Sequence, residues 1–239
     1  MGNGLYTAAA GLAAQQAWID SLANDVANVN TPGYRAGRVA FRDLLYQQEG
    51  GLAVGSGVAV SDVGRSGKAG PLAPSENPLA VAIDGPGFFQ VRRGDGSFAL
   101  TRSGNFQTDS EGVLVTADGD RLEPKLRIPA GTDLEQLTIA TDGTVTAGTT
   151  KLGKIELVDV PAPTGLRPVG GGLLATTPES GAAAPAVGAL VDQKMIEASG
   201  VDVATVMVDL VQAQRAYALQ SRVIKTQDQL AEIANGIRR

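Results

Sequence analysis

The sequence predicts an α+β chain, in which long N- and C-terminal helices form a coiled-coil-like layer and a central all-β domain is built of short strands. Three observations carry this. All 12 prolines lie between Pro32 and Pro185, so both ends lack the residue that most strongly breaks helices. Both ends space their apolar residues alternately three and four apart, the helical period. Between them, short apolar runs alternate with Asp-Gly, Glu-Gly and Ser-Gly pairs, which mark tight turns. The expected organisation is a terminal helical assembly domain from residues 1–34 and 196–239, an extended or irregular linker at 35–75, and a central β-rich domain at 76–195.

The N-terminal helix rests on Leu5, Leu12, Ile19 and Val26, seven apart, with Ala8, Gln15 and Leu22 three after the first three. That is an a/d heptad pattern. An ordinary amphipathic helix lying on a core would show the same spacing. The remaining face, however, is Ala, Asn and Gln rather than solvated charge, which suits packing on several sides. Asn30-Thr31-Pro32-Gly33 ends the pattern, since proline disfavours α conformation in the residue before it.

In the middle, strands are expected at Leu79–Ile83, Phe88–Val91, Phe98–Thr101, Val113–Thr116, Ile128, Leu137–Ile139, Val145–Ala147 and Ile155–Val160. Asp84-Gly85, Asp95-Gly96, Ser103-Gly104, Glu111-Gly112, Asp118-Gly119 and Asp142-Gly143 supply the turns. Residues 162–190, rich in Gly, Ala and Pro, read as loop and extended connector.

The C-terminal helix begins at Asp202, a capping residue type. Val203, Val206, Leu210, Ala213, Tyr217, Gln220, Ile224, Gln227 and Ala231 form one stripe; Leu219, Val223, Thr226, Leu230, Ile233 and Ile237 form a second. About 35 residues at 1.5 Å each give a helix roughly 50 Å long, too long for the core of such a domain. It is expected to find partners elsewhere.

Composition excludes several chemistries. With no Cys and no His, the chain can build neither disulfides nor thiolate or imidazole metal sites, and no Ser-His-Asp triad. A net charge of -5 is a poor match for nucleic acid, whose affinity rests on cationic contacts to phosphate. There is no run of about 20 apolar residues, so no membrane insertion is expected. Residues 2–19 carry no Lys or Arg, which argues against a cleaved secretory signal. Gly85-Pro86-Gly87 and Gly55-Ser56-Gly57 do not complete a dinucleotide-binding spacing. Asp118-Gly119-Asp120 and Asp109-Ser110-Glu111-Gly112 lack the full calcium ligand series. A carboxylate pair, as in a glycosidase, is the one catalytic device composition leaves open. Asp84, Asp95, Asp109, Asp118 and Asp142 are its candidates, each in an expected turn.

The run Ala23-Asn24-Asp25-Val26-Ala27-Asn28-Val29-Asn30-Thr31-Pro32-Gly33-Tyr34-Arg35 resembles the N-terminal signature of the flagellar rod, hook and hook-associated family, with Asp25 where a second Asn is usual. Val81-Ala82-Ile83-Asp84-Gly85-Pro86-Gly87-Phe88-Phe89-Gln90-Val91 and Thr101-Arg102-Ser103-Gly104-Asn105-Phe106 resemble its G-x-G-F-F-x-V and T-R-x-G-x-F core. Ser199-Gly200-Val201-Asp202-Val203 and Gln212-Ala213-Gln214-Arg215-Ala216-Tyr217 resemble its C-terminal helix, with Gly200 where Asn is usual. Phe41-Arg42-Asp43-Leu44-Leu45-Tyr46 is most similar to the rod members of distal type; the proximal rod type is the alternative.

The resemblance implies a structural subunit of the bacterial basal-body rod, self-assembling into a helical tube that transmits torque from motor to hook and encloses an export channel. It implies no enzymatic activity and no cofactor. A carboxylate-dependent peptidoglycan hydrolase is the alternative of another class. The implied partners are copies of the chain, other flagellar rod and hook proteins, and the type III export apparatus; the implied place is the basal body, in the cell envelope. The implied assembly residues are Leu5, Leu12, Ile19, Asn24, Val26, Asn28, Asn30, Thr31, Pro32, Gly33 and Tyr34 at one end. At the other they are Val203, Val206, Leu210, Gln214, Arg215, Tyr217, Ile224 and Leu230.

Overall fold

The computed structural model describes residues 2–44, 46–49, 52–55 and 57–237. Leu45 lies outside the described residues, as do the side chains of Leu5, Tyr46, Ala231 and Ile237. The chain divides into two compact units, one of residues 1–27, 37–63 and 202–239, the other of residues 28–36 and 64–201.

The first unit holds helix α1 (Gly2–Ala27), strands β1 (Gly37–Asp43), β2 (Tyr46–Glu49) and β3 (Leu52–Gly55), strand β4 (Val58–Arg65) as far as Val63, and helix α2 (Val203–Ile237). Strand β1 pairs with β4 and β2 with β3. Trp18 of α1 meets Phe41 of β1 edge-on at 5.7 Å. Asp202 caps α2, its carboxylate accepting from the Ala204 amide at 3.1 Å and the Thr205 hydroxyl at 2.9 Å. The hydrogen bond from the amide satisfies one of the backbone donors that a helix start leaves orphaned.

The expectation of long helices forming a coiled-coil-like layer is corrected here. Two long helices do flank a β-rich region, but no such layer is evident. Within the first unit the two helices pack against each other. A Cβ on Gly11 would lie 3.0 Å from the Gln220 side chain, and Ala14, Leu22, Val206 and Ala213 are buried. A coiled coil needs large knobs seated in holes of a facing helix. Here a glycine, Gly11, faces the Gln220 side chain, while Leu219, Val223, Leu230 and Ile233 stay more than half exposed.

The second unit holds β5 (Leu72–Pro74), β6 (Val81–Asp84), β7 (Phe88–Arg92), β8 (Phe98–Thr101), β9 (Gln107–Thr108), β10 (Leu114–Val115), β11 (Arg121–Glu123), β12 (Leu137–Ile139), β13 (Thr144–Ala147) and β14 (Thr150–Lys154). It continues with β15 (Leu157–Asp159), β16 (Arg167–Gly170), β17 (Leu173–Ala175), β18 (Ala184–Pro185), β19 (Leu190–Gln193) and β20 (Met195–Glu197). The largest sheet runs β16-β17-β8-β7-β11-β10-β9, with β15 also on β7 and β18 on β15. Strands β12, β13 and β14 form a second sheet; β6 pairs with β19 and β5 with β20. The pairings are antiparallel, with Phe89 opposite Thr101 and Val91 opposite Leu122.

Four hairpins share one device. Gly96, Gly112, Gly119 and Gly143 each adopt φ between +77° and +89° and donate to the carbonyl three residues back, at Arg93, Asp109, Thr116 and Ala140. In each, that same residue donates back to the carbonyl four ahead. This is a type I turn closed by a left-handed residue, the position glycine occupies without steric penalty.

Strand β7 is buried on both faces, which is why its sequence reads Phe88-Phe89-Gln90-Val91 instead of alternating. Phe89 joins Phe106, Val81, Ile83, Leu114, Leu122 and Val145 in the main core, its ring 5.1 Å from Phe106 and edge-on. Phe88 points to the other side, among Leu100, Val160 and Leu166. Neighbouring residues of a strand face opposite ways, so one dipeptide serves two clusters.

Candidate functional site

The N-terminal signature is a sharply bent segment. After α1, the Thr31 amide donates to the Asn28 carbonyl and the Thr31 hydroxyl to the Asn28 side chain, both at 3.1 Å. Asp25, where the signature usually has Asn, is buried and accepts the Gly37 amide at 2.9 Å. Gly33 sits at φ +68°. A Cβ there would lie 2.6 Å from the Ser103 nitrogen and 2.7 Å from the Arg102 carbonyl carbon, so only glycine fits without displacement. Tyr34 is buried, its carbonyl accepting from the Gly200 amide at 2.9 Å. Arg65 donates to the Tyr34 hydroxyl at 2.8 Å and lies 4.9 Å over its ring, and also donates to the Arg35 carbonyl at 3.2 Å.

Two residues of this segment, Gly33 and Arg35, meet Glu197, the last residue of β20 and 1% exposed. Its carbonyl accepts the Gly33 amide at 2.7 Å and its Oε1 the Gly70 amide at 3.2 Å. Arg102 Nε stands 3.0 Å from Oε2, and Arg35 Nε 3.7 Å from Oε1. The Arg102 approach is a charge contact, not an aligned hydrogen bond, because neither Nε nor Oε2 meets a partner in hydrogen-bonding geometry. The other Arg102 nitrogens donate to the Gly87 carbonyl at 2.8 Å and the Gly85 carbonyl at 3.0 Å. Both guanidinium groups lie over the Phe88 ring, at 5.8 and 5.9 Å. Burial pushes the Arg102 guanidinium below its ordinary pKa; Glu197 opposes that shift and Arg35 adds to it. A cavity of about 500 Å3 opens beside the cluster, lined in part by Arg35, Arg102, Glu197, Asp159, Leu72 and Phe88.

The structure gathers some expected site residues and separates others. Thr31, Pro32, Gly33 and Tyr34 lie in the bent segment at the Glu197 cluster, while Asn30 is exposed. Leu12, Ile19 and Val26 are half-buried on α1, where Asn24 is exposed. On α2, Val206 is buried and Leu210 and Ile224 are half-buried, whereas Val203, Gln214, Arg215, Tyr217 and Leu230 are exposed. Sequence reasoning missed Arg65, Gly70, Arg102 and Glu197 as site residues. For Glu197 the available signal was a lone carboxylate ending the apolar run Met195-Ile196, and for Arg102 its place in the T-R-x-G-x-F motif.

Three of the turn carboxylates are occupied with backbone work. Asp95 is held below its ordinary pKa first by the Ser97 hydroxyl, Asp109 by the Val113 amide, and Asp142 by the Thr144 amide. A general acid in glycoside hydrolysis needs the opposite shift. Among the described residues no three Asp or Glu side chains gather where they could hold a metal ion, and no helix is long and apolar enough to cross a membrane.

Comparison with known proteins matches three family profiles along the chain. Residues 5–35 match the flagella basal body rod protein family and residues 82–147 the flagellar hook protein FlgE/F/G D1 domain. Residues 192–237 match the flagellar basal body rod FlgEFG protein C-terminal family. The chain is 38% identical to the flagellar basal-body rod protein FlgG of Agrobacterium fabrum, covering 97% of each. It is 35% identical to FlgG of Caulobacter vibrioides, covering 98% of each. Against the flagellar basal-body rod protein FlgF of that same organism it is 31% identical, over 98% of this chain and 96% of the relative.

Proposed function

This chain belongs to the flagellar basal-body rod protein family, and on that premise we propose that it is a rod subunit of distal type. It does structural work. Copies assemble head to tail into a tube, a heterologous contact that repeats without closing. The tube carries torque from motor to hook and encloses the path of exported subunits. Its partners are copies of itself, adjoining rod and hook proteins, and the flagellar type III export apparatus, which passes it without cleaving a signal.

The observation that carries the reading is end-to-end similarity to FlgG relatives, which exceeds that to FlgF within one organism. The bare apolar residues Leu219, Val223, Leu230 and Ile233 of α2 support assembly, since an isolated chain leaves them in water. The test is to place a tag in an exposed turn, at Asp118-Gly119, and to label isolated basal bodies with gold for electron microscopy. Label on the distal rod segment is expected. Label on the proximal segment would assign the chain to the FlgF type, and label absent from the rod would overturn the reading.

A further inference from the structure

The chain passes between its two compact units at four places, after residues 27, 36, 63 and 201. The segments next to those crossings that belong to the β-rich unit are 28–36, the stretch from Gly64 on, and the stretch ending at Val201. All three are tied together at one spot. Gly33 and Gly70 donate to Glu197, one to its carbonyl and one to its carboxylate. Gly200 donates to Tyr34, Ser66 to Ala36 at 2.8 Å, and Ala198 to Pro71 at 2.9 Å. Arg65 reaches Tyr34 and Arg35. Arg102, directly after β8, ties the knot to the main sheet through the carbonyls of Gly85 and Gly87, on the turn into β7.

We propose that Glu197 is a positioning residue: the hub of a clamp that fastens all three linking segments to the β-rich unit. Its charge is the element the arrangement depends on. Two guanidinium groups, Arg102 nearly sealed from water and Arg35 13% exposed, share this single carboxylate. A buried ion cluster is weak evidence for stability in general, but removing one member leaves the others uncompensated in low dielectric. Loss of the Glu197 charge therefore loosens the linking segments, while Phe89, Phe106 and Leu122 keep the β core packed. On the rod reading above, this clamp is where force carried along the linking segments enters the β-rich unit.

The test is amide hydrogen exchange on the purified full chain, which does not depend on the rod reading. Glu197→Gln keeps the side chain's shape and removes its charge. The amides of Gly33, Ser66, Gly70 and Gly200 are expected to exchange about tenfold faster, while those of Val91 and Leu122 stay within about twofold. Val91→Ala, a pure core truncation, serves as the reference and accelerates all of them together. Glu197→Asp, which retains the charge on a shorter stem, restores part of the protection; no restoration overturns the role of charge. Uniform acceleration in Glu197→Gln, or none, overturns the clamp. Should that variant not fold, Arg35→Gln removes only the rim partner, and the same local pattern is required of it; a uniform or absent effect there is equally fatal. Swimming in viscous medium then separates the two readings. Local loosening with motility lost only under load supports the force path. Local loosening with undiminished motility under load leaves the clamp and removes its mechanical role.

Discussion

Gly33 is held in left-handed conformation with backbone atoms of Arg102 and Ser103 where a side chain would begin. Gly33→Ala meets both a φ penalty and a clash with backbone that cannot rotate away. Its expected cost is about 2–4 kcal/mol, read as a lowered denaturation midpoint of the β-rich unit. The turn carboxylates supply a pH prediction. Asp95, Asp109 and Asp142 have folded pKa values below the ordinary 3.8, chiefly because turn hydroxyl and amide groups donate to the ionised form. A group depressed on folding stabilises above its unfolded pKa, and that contribution fades as pH falls through the folded value. Stability from these turns is therefore intact at neutral pH and declines only below 3.8. Carboxyl chemical-shift titration should place all three midpoints under that value; a midpoint above it would contradict the turn geometry.

At the scale of elements, α2 has two faces with different duties. Ala213 is fully buried within the first unit. Ala213→Leu forces three more heavy atoms into a site with no room, costing about 1–3 kcal/mol and reducing helical circular dichroism of the isolated chain. Leu219→Ser with Val223→Ser alters residues that are 61% and 51% exposed. The isolated chain should tolerate this pair within about 0.5 kcal/mol, while polymerisation seen by electron microscopy should fail. A destabilised monomer would show that the face is already covered.

For the whole molecule, the compact units are discontinuous in sequence, so where the chain is cut matters more than how much is removed. A fragment of residues 28–201 retains every member of the Glu197 cluster, whereas 64–201 loses Gly33, Tyr34 and Arg35. Both should fold around the Phe89 core. The shorter one should be less stable by about 2–4 kcal/mol in denaturant, because Tyr34 contacts and the Arg35 charge partner are gone. Equal midpoints would mean that the signature segment contributes nothing to the β-rich unit.

The sequence by itself determined whatever depends on near neighbours. Pro-free ends gave two helices, Asp202 announced its cap, and glycine after Asp or Glu marked all four bulged hairpins, because helix starts and turns are decided by residues within about one turn of each other. The β strands at Phe98–Thr101 and Leu137–Ile139 were legible for the same reason. Strands such as Arg167–Gly170 and Ala184–Pro185 were not: they are short, contain proline, and exist only because a neighbouring strand pairs with them. Tertiary structure alone decided which helix residues are covered: Val206 and Ala213 are buried on α2, Leu219, Val223, Leu230 and Ile233 stay exposed, and the expected coiled-coil-like layer is not evident. It alone also brought Glu197 to Gly70, 127 positions away, and to Arg102 and Arg35. A charge that will be buried beside its partners carries no local periodicity, so its role emerges only when the chain closes on itself.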